Sequence, residues 1–180
     1  MSTRSIYLAK SRVTPSQRAH FAIFIPDISS DRPEASKDFK TTSTIGTKIH
    51  VVGEPIIAGF MLEIKRCYEC WGEVDLQQLV YLGRVDAANL YDDTSSECRI
   101  DTIPRSVLER EASMVAPPPN GQSIRASVDG VKTRRCQEWT MEYLQRLVQK
   151  GYLEPTAVEI AQGERDPPDF GIFGAAARGN

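Results

Sequence analysis

TRRCQEWTMEYLQRLVQKGY, from Thr133 to Tyr152, decides how the rest of the chain is read. Trp139, Tyr143, Leu144, Leu147 and Val148 recur at spacings of three and four, which predicts an amphipathic helix with one apolar face. Cys136 falls on the same stripe one turn earlier, so its thiol points inward, toward a sheet. Taken alone, such a cysteine is a small buried hydrophobe. Its place in the first turn changes its chemistry, because backbone N–H groups without partners and the positive end of the helix dipole favour a thiolate there. Arg134 and Arg135 add positive charge, though exposed side chains would count for little.

On either side of this helix the chain is punctuated. VAPPPNGQS (115–123) cannot continue a helix and favours a turn, and it follows a short helical patch, RSVLEREASMV (105–115). LEREAS within that patch reads as a solvated face with weak ion pairs. PTAVEIAQG (155–163) predicts a second, shorter helix, with Pro155 suited to its first turn. Upstream, AHFAIFIP (19–26), GTKIHVVGEP (46–55), AGFMLEIKRCYE (58–69) and LQQLVYLGRVD (76–86) read as strands. They predict an antiparallel sheet of about four strands. The polar stretch DISSDRPEASKDFKTTST (27–44) has no periodic apolar face and is expected to be an exposed, mobile loop. The expectation is one α+β domain over 1–165, a small antiparallel sheet packed on the cysteine-bearing helix. A Pro/Gly/Ala-rich tail (166–180) follows, anchored only by Phe170, Ile172 and Phe173.

Composition narrows the function. With 22 basic and 24 acidic residues in 180, a net charge of −2 and no block of like charge, nucleic acid is not an expected partner. The opening MSTRSIYLAKSRVTPSQR is cut by charge and proline before any secretory-type apolar run, and no segment reaches membrane-spanning length, so a cytoplasmic protein is expected. Four cysteines are few for a chain of this apolar content, which suggests reduced thiols. Cys67 and Cys70 form a Cys-x-x-Cys without a second ligand pair at zinc spacing, and they read as structural or surface cysteines rather than a metal or redox site. Cys98 reads as a bystander among turn residues. No phosphate loop, metal motif or serine elbow appears, so no cofactor and no metal are expected.

The chain has two histidines, His20 and His50. If their strands form a hairpin around the polar loop, a register centred near Ala35 puts them directly opposite each other on one face. A histidine opening a strand in HFAIF, another in IHVVG, and much later a cysteine opening a helix in CQEW resemble circularly permuted papain-like thiol enzymes. That group includes lecithin retinol acyltransferase-like proteins, PPPDE peptidases and permuted NlpC-type hydrolases. The segments I-H-x-V-G and RRCQEWT also resemble small fungal proteins. The resemblance rests on three short motifs and implies Cys136 as nucleophile, His20 as general base and His50 as the group that orients it. It implies a hydrolase or acyltransferase acting on an amide or ester of a small molecule or peptide, with ring closure by a substrate amine as a biosynthetic variant. The loop between the histidine strands is far longer than the hairpin of the acyltransferase branch. The rival reading is a noncatalytic binding module on the same scaffold, its loop and tail contacting a protein partner.

Overall fold

In the computed structural model, which describes residues 2–95 and 97–172, the chain forms a six-stranded antiparallel sheet with three helices on one face and a short one on the other. The strands are β1 (Thr3–Ser11), β2 (His20–Pro26), β3 (Ile45–Glu54), β4 (Gly59–Glu69), β5 (Leu76–Asp86) and β6 (Arg99–Asp101), in the order β5-β1-β2-β3-β4-β6. The helices are α1 (Ala35–Asp38), α2 (Val107–Ser113), α3 (Cys136–Gln149) and α4 (Thr156–Gly163). The α+β class and all four expected strands are present, joined by two that the sequence reading omitted.

The first omission is central. β1 lies between β5 and β2 and is buried on both faces, so it lacks the alternation that marks a half-exposed strand. Two cations interrupt its apolar run, and both are satisfied by distant partners. Arg4 is buried, its guanidinium paired with Asp92 at 2.9 and 3.0 Å and donating to the Pro26 carbonyl at 3.0 Å. Lys10 reaches Glu164 at 3.0 Å. The second omission, β6, is a short edge strand paired to β4.

Strand alternation divides the core in two. Ile6, Leu8, Phe21, Ile23, Ile49, Val51 and Ile64 face the helices and pack against Leu108, Trp139, Tyr143, Leu144, Leu147 and Ala157. Trp139 and Tyr143, fully buried on the predicted stripe, satisfy their polar tips by donating to the carbonyls of Val115 (3.0 Å) and Leu108 (2.9 Å). On the other face Tyr7, Ala9, Ala22, Phe24, Leu76 and Leu79 form a smaller core, closed by Ala35 and Phe39.

That second core corrects the reading of 27–44 as an exposed, mobile loop. The segment contains α1, and the buried Ala35, Phe39, Ser30 and Thr44 make it a cover for the sheet. Two apolar residues four apart were too sparse a stripe to be seen among sixteen neighbours of mostly polar type. LEREAS is corrected as well: Glu109 is buried and holds the fully buried Arg66 through two bonds of 2.6 and 2.9 Å, while Asp101 takes the Arg66 Nε at 2.9 Å. Ser106 and Glu109 also close a capping box, so one carboxylate fixes both the helix start and its seat on β4.

Of the tail, Val128 donates to the Pro168 carbonyl at 2.9 Å, and Arg12 lies over the Phe170 ring at 5.1 Å, so residues up to Ile172 dock on the body. The expected anchor Phe173 falls outside the described residues. No described helix is long and apolar enough to cross a membrane.

Phe39→Ala is expected to cost about 3 kcal/mol of unfolding free energy, the range for a buried phenylalanine. Urea denaturation measures it; a loss under 0.5 kcal/mol would mean that the segment does not cover a core.

Candidate active site

α3 begins where β2 begins, and a polar clamp keeps them together. Glu138, in the first turn of α3, accepts from the Arg135 backbone N–H at 2.9 Å, and its two oxygens take the Arg18 guanidinium at 2.9 and 3.2 Å and Arg165 at 2.7 Å. Gln137, fully buried, donates to the Ala19 carbonyl at 2.9 Å and to Asp166 at 2.9 Å. Asp166 accepts from the Ala19 N–H at 2.7 Å and from Arg12 at 2.7 Å. The two residues that follow Cys136 therefore bond to the residues that lead into His20.

This geometry lays the half-buried Cys136 sulfur against the β2 backbone, with the Ala19 carbonyl at 3.9 Å as its hydrogen-bond acceptor. Burial pushes the thiol above its ordinary range, and the Phe21 N–H pulls only partly the other way. The helix start was expected to favour a thiolate; desolvation outweighs it, and the resting group is a neutral thiol.

The histidines do meet, through a different register. Ile23 faces Ile49 and Phe24 faces Lys48, two residues away from the expected pairing. An even displacement preserves the facing of every side chain. His20 and His50 are thus diagonal neighbours on one face, with His20 Nε2 2.7 Å from His50 Nδ1 and the ring centroids 5.0 Å apart. His50 is buried, and its Nε2 lies 3.6 Å from Glu63, its direct cross-strand partner on β4. That distance is too long for a hydrogen bond, and the contact becomes an ion pair only when the ring is protonated. The tautomer that fits both contacts places the His20 proton on Nε2, donated to His50 Nδ1, and the His50 proton on Nε2, toward the carboxylate. The Nδ1 of His20 is left with its lone pair.

Burial, then Lys48 and Lys65, lowers His20 to about 4. Burial, then His20 and the same lysines, lowers His50 to about 2. Both rings are neutral at pH 7.

Cys136 and His20 line one cavity of about 400 Å³, with apolar walls from Phe60, Ile124, Val128 and Phe170. Arg135 borders it, its guanidinium bonded to the Gln122 side chain and to backbone carbonyls. Among the described hydrogen bonds none joins the sulfur to an imidazole. The alternation that turns Phe21 and Ile23 toward α3 turns His20 and His50 toward the other face, so thiol and rings approach the start of β2 from its two sides. Cys67 and Cys70 are not brought together as a pair: Cys70 is buried in the second core, and Cys67 lies beside Cys98.

Sequence reasoning missed Glu63 and Asp166. Glu63 was accessible, because only Pro55–Ala58 separate β3 from β4 and so short a turn fixes His50 opposite Glu63. Asp166 had no local signal, since its partners are distant in sequence.

The fold and the site define an α+β protein in which a helix-opening cysteine and one ring of a bonded histidine pair border one cavity. The chain belongs to DUF6540, a family of unknown function whose model matches residues 6–154, a span that holds Cys136, His20 and His50 but stops short of Asp166. Comparison with curated proteins and with solved structures found no match.

Because both folded-state values lie below the ordinary 6.5, the unfolded chain takes up protons that the folded chain refuses. Stability is lost as pH falls from 6.5 toward 4 and, for His50, further toward 2. His50→Asn is expected to lose about 2 kcal/mol less than the parent between pH 6.5 and 4.5. Urea titrations across that range measure the difference, and parallel curves would show that His50 is not held neutral.

Proposed function

We propose that the chain is a cysteine-dependent hydrolase or acyltransferase of the permuted papain-like kind, acting on an amide or ester of a small molecule or peptide. The observation that carries this reading is the 2.7 Å contact between His20 and His50, which leaves His20 Nδ1 with its lone pair on a ring bordering the cavity that Cys136 also lines.

With a neutral thiol and a neutral base, proton transfer accompanies attack. The Cys136 side chain leaves its long contact with the Ala19 carbonyl and gives its proton to His20 Nδ1 as sulfur bonds to the substrate carbonyl carbon. The tetrahedral oxygen is met by the Cys136 backbone N–H at the start of α3. As the carbon–heteroatom bond breaks, the leaving group takes the proton from His20, and a thioester remains. Water, or an amine that closes a ring when it belongs to the substrate, attacks the thioester and restores the thiol. His50 holds the His20 tautomer throughout, and the Glu63 charge supports the transient imidazolium. The apolar walls suit an acyl group with a hydrocarbon body.

A noncatalytic binding module is the second reading. What favours it is that the sulfur's described hydrogen bond goes to a backbone carbonyl while both rings turn to the other face of β2. The two readings part in one experiment. Under the first, an activated acyl ester labels Cys136, as located by peptide mapping; Cys136→Ala removes that label, and His20→Ala slows it on the order of a hundredfold or more. Labelling at the other cysteines alone, or a rate indifferent to His20, would overturn the enzymatic reading.

A further inference from the structure

A second pair of sulfurs lies away from the candidate active site, where β4 meets β6. Between Gly46 opposite Tyr68 and Lys48 opposite Lys65, β4 holds one residue more than β3. Cys67 sits in this bulge with φ of 54°, the one non-glycine residue with positive φ among the described residues. β6 runs alongside, Arg66 opposite Arg99 and Lys65 opposite Ile100, which carries Cys98 to the bulge. The two Sγ atoms are 2.8 Å apart, and the Cys98 thiol also lies 3.1 Å from the Cys67 carbonyl. A disulfide bond is about 2.05 Å long, so closing it needs well under an ångström of movement. Cys98 is exposed and Cys67 half-buried, open to a small oxidant.

We propose that Cys67 and Cys98 are an oxidation site that closes to an intramolecular disulfide, with a hydroperoxide as the oxidant. The Cys98 sulfur attacks the O–O bond of hydrogen peroxide, giving a sulfenic acid and one water. The Cys67 sulfur then displaces the sulfenic oxygen, which leaves with the Cys67 proton as a second water. Two thiols lose two electrons and two protons, and one peroxide is reduced to two waters. The bond ties the edge strand β6 to the bulge and closes the chain segment that contains β5. Neither sulfur borders the cavity of Cys136, so the inference stands whatever that cavity does.

The test starts from the whole reduced protein, exposed to a slight excess of hydrogen peroxide and quenched with catalase. The four thiols should fall to two by a chromogenic thiol assay, with the loss of two hydrogens in the intact mass and one cross-linked peptide joining Cys67 to Cys98. Dithiothreitol should restore all four thiols, and the oxidised form should melt about 5–10 °C higher. Cys98→Ser should keep its three thiols in monomeric protein. A count that stays at four in the parent, sulfinic acid at Cys98, or a cross-link through Cys70 or Cys136 would overturn the proposal.

Discussion

The clamp between the start of α3 and the start of β2 is the constraint on which the candidate site depends. Asp166 accepts from Ala19, Arg12 and Gln137, while Glu138 accepts from Arg18, Arg165 and its own helix cap. These carboxylates are charged and largely hidden, and each is repaid by several donors, which is the condition under which buried ions are tolerable. Through them, three segments far apart in sequence meet within one turn of helix. Without that clamp, the sulfur's relation to His20 would be set only by the packing of Trp139 and its neighbours deeper in the core.

Electrostatics then decides the character of the three side chains. Helix position alone argues for a thiolate, and proximity of a thiol to imidazole alone argues for an ion pair. Burial overrides both, raising the sulfur and lowering the rings, and two lysines on the histidine face reinforce the effect. The site rests uncharged, suited to a proton that moves during attack.

Much of this was legible in the sequence where the signal was local. The stripe from Cys136 through Val148, the strand character of HFAIFIP and IHVVG, and the meeting of the two histidines all follow from spacing and residue type. The histidines met even though the register was off, because a displacement of two keeps side-chain facing. β1 was illegible because its two cations find partners at Asp92 and Glu164, far along the chain. α1 was hidden because Ala35 and Phe39 alone carry its burial. The thiol's approach from the face opposite the rings depends on how a helix docks over a strand end, which no pattern in either element encodes.

The place of β1 at the middle of the sheet bears on how the molecule assembles. Its hairpin partner β2 is available early in synthesis, but its other edge stays open until β5, about seventy residues later, has emerged. Non-local pairing of this kind slows folding, and an apolar strand with an unfilled edge invites pairing with another chain. A nascent chain halted before β5 would therefore be the form of this protein most prone to aggregate and most in need of a chaperone.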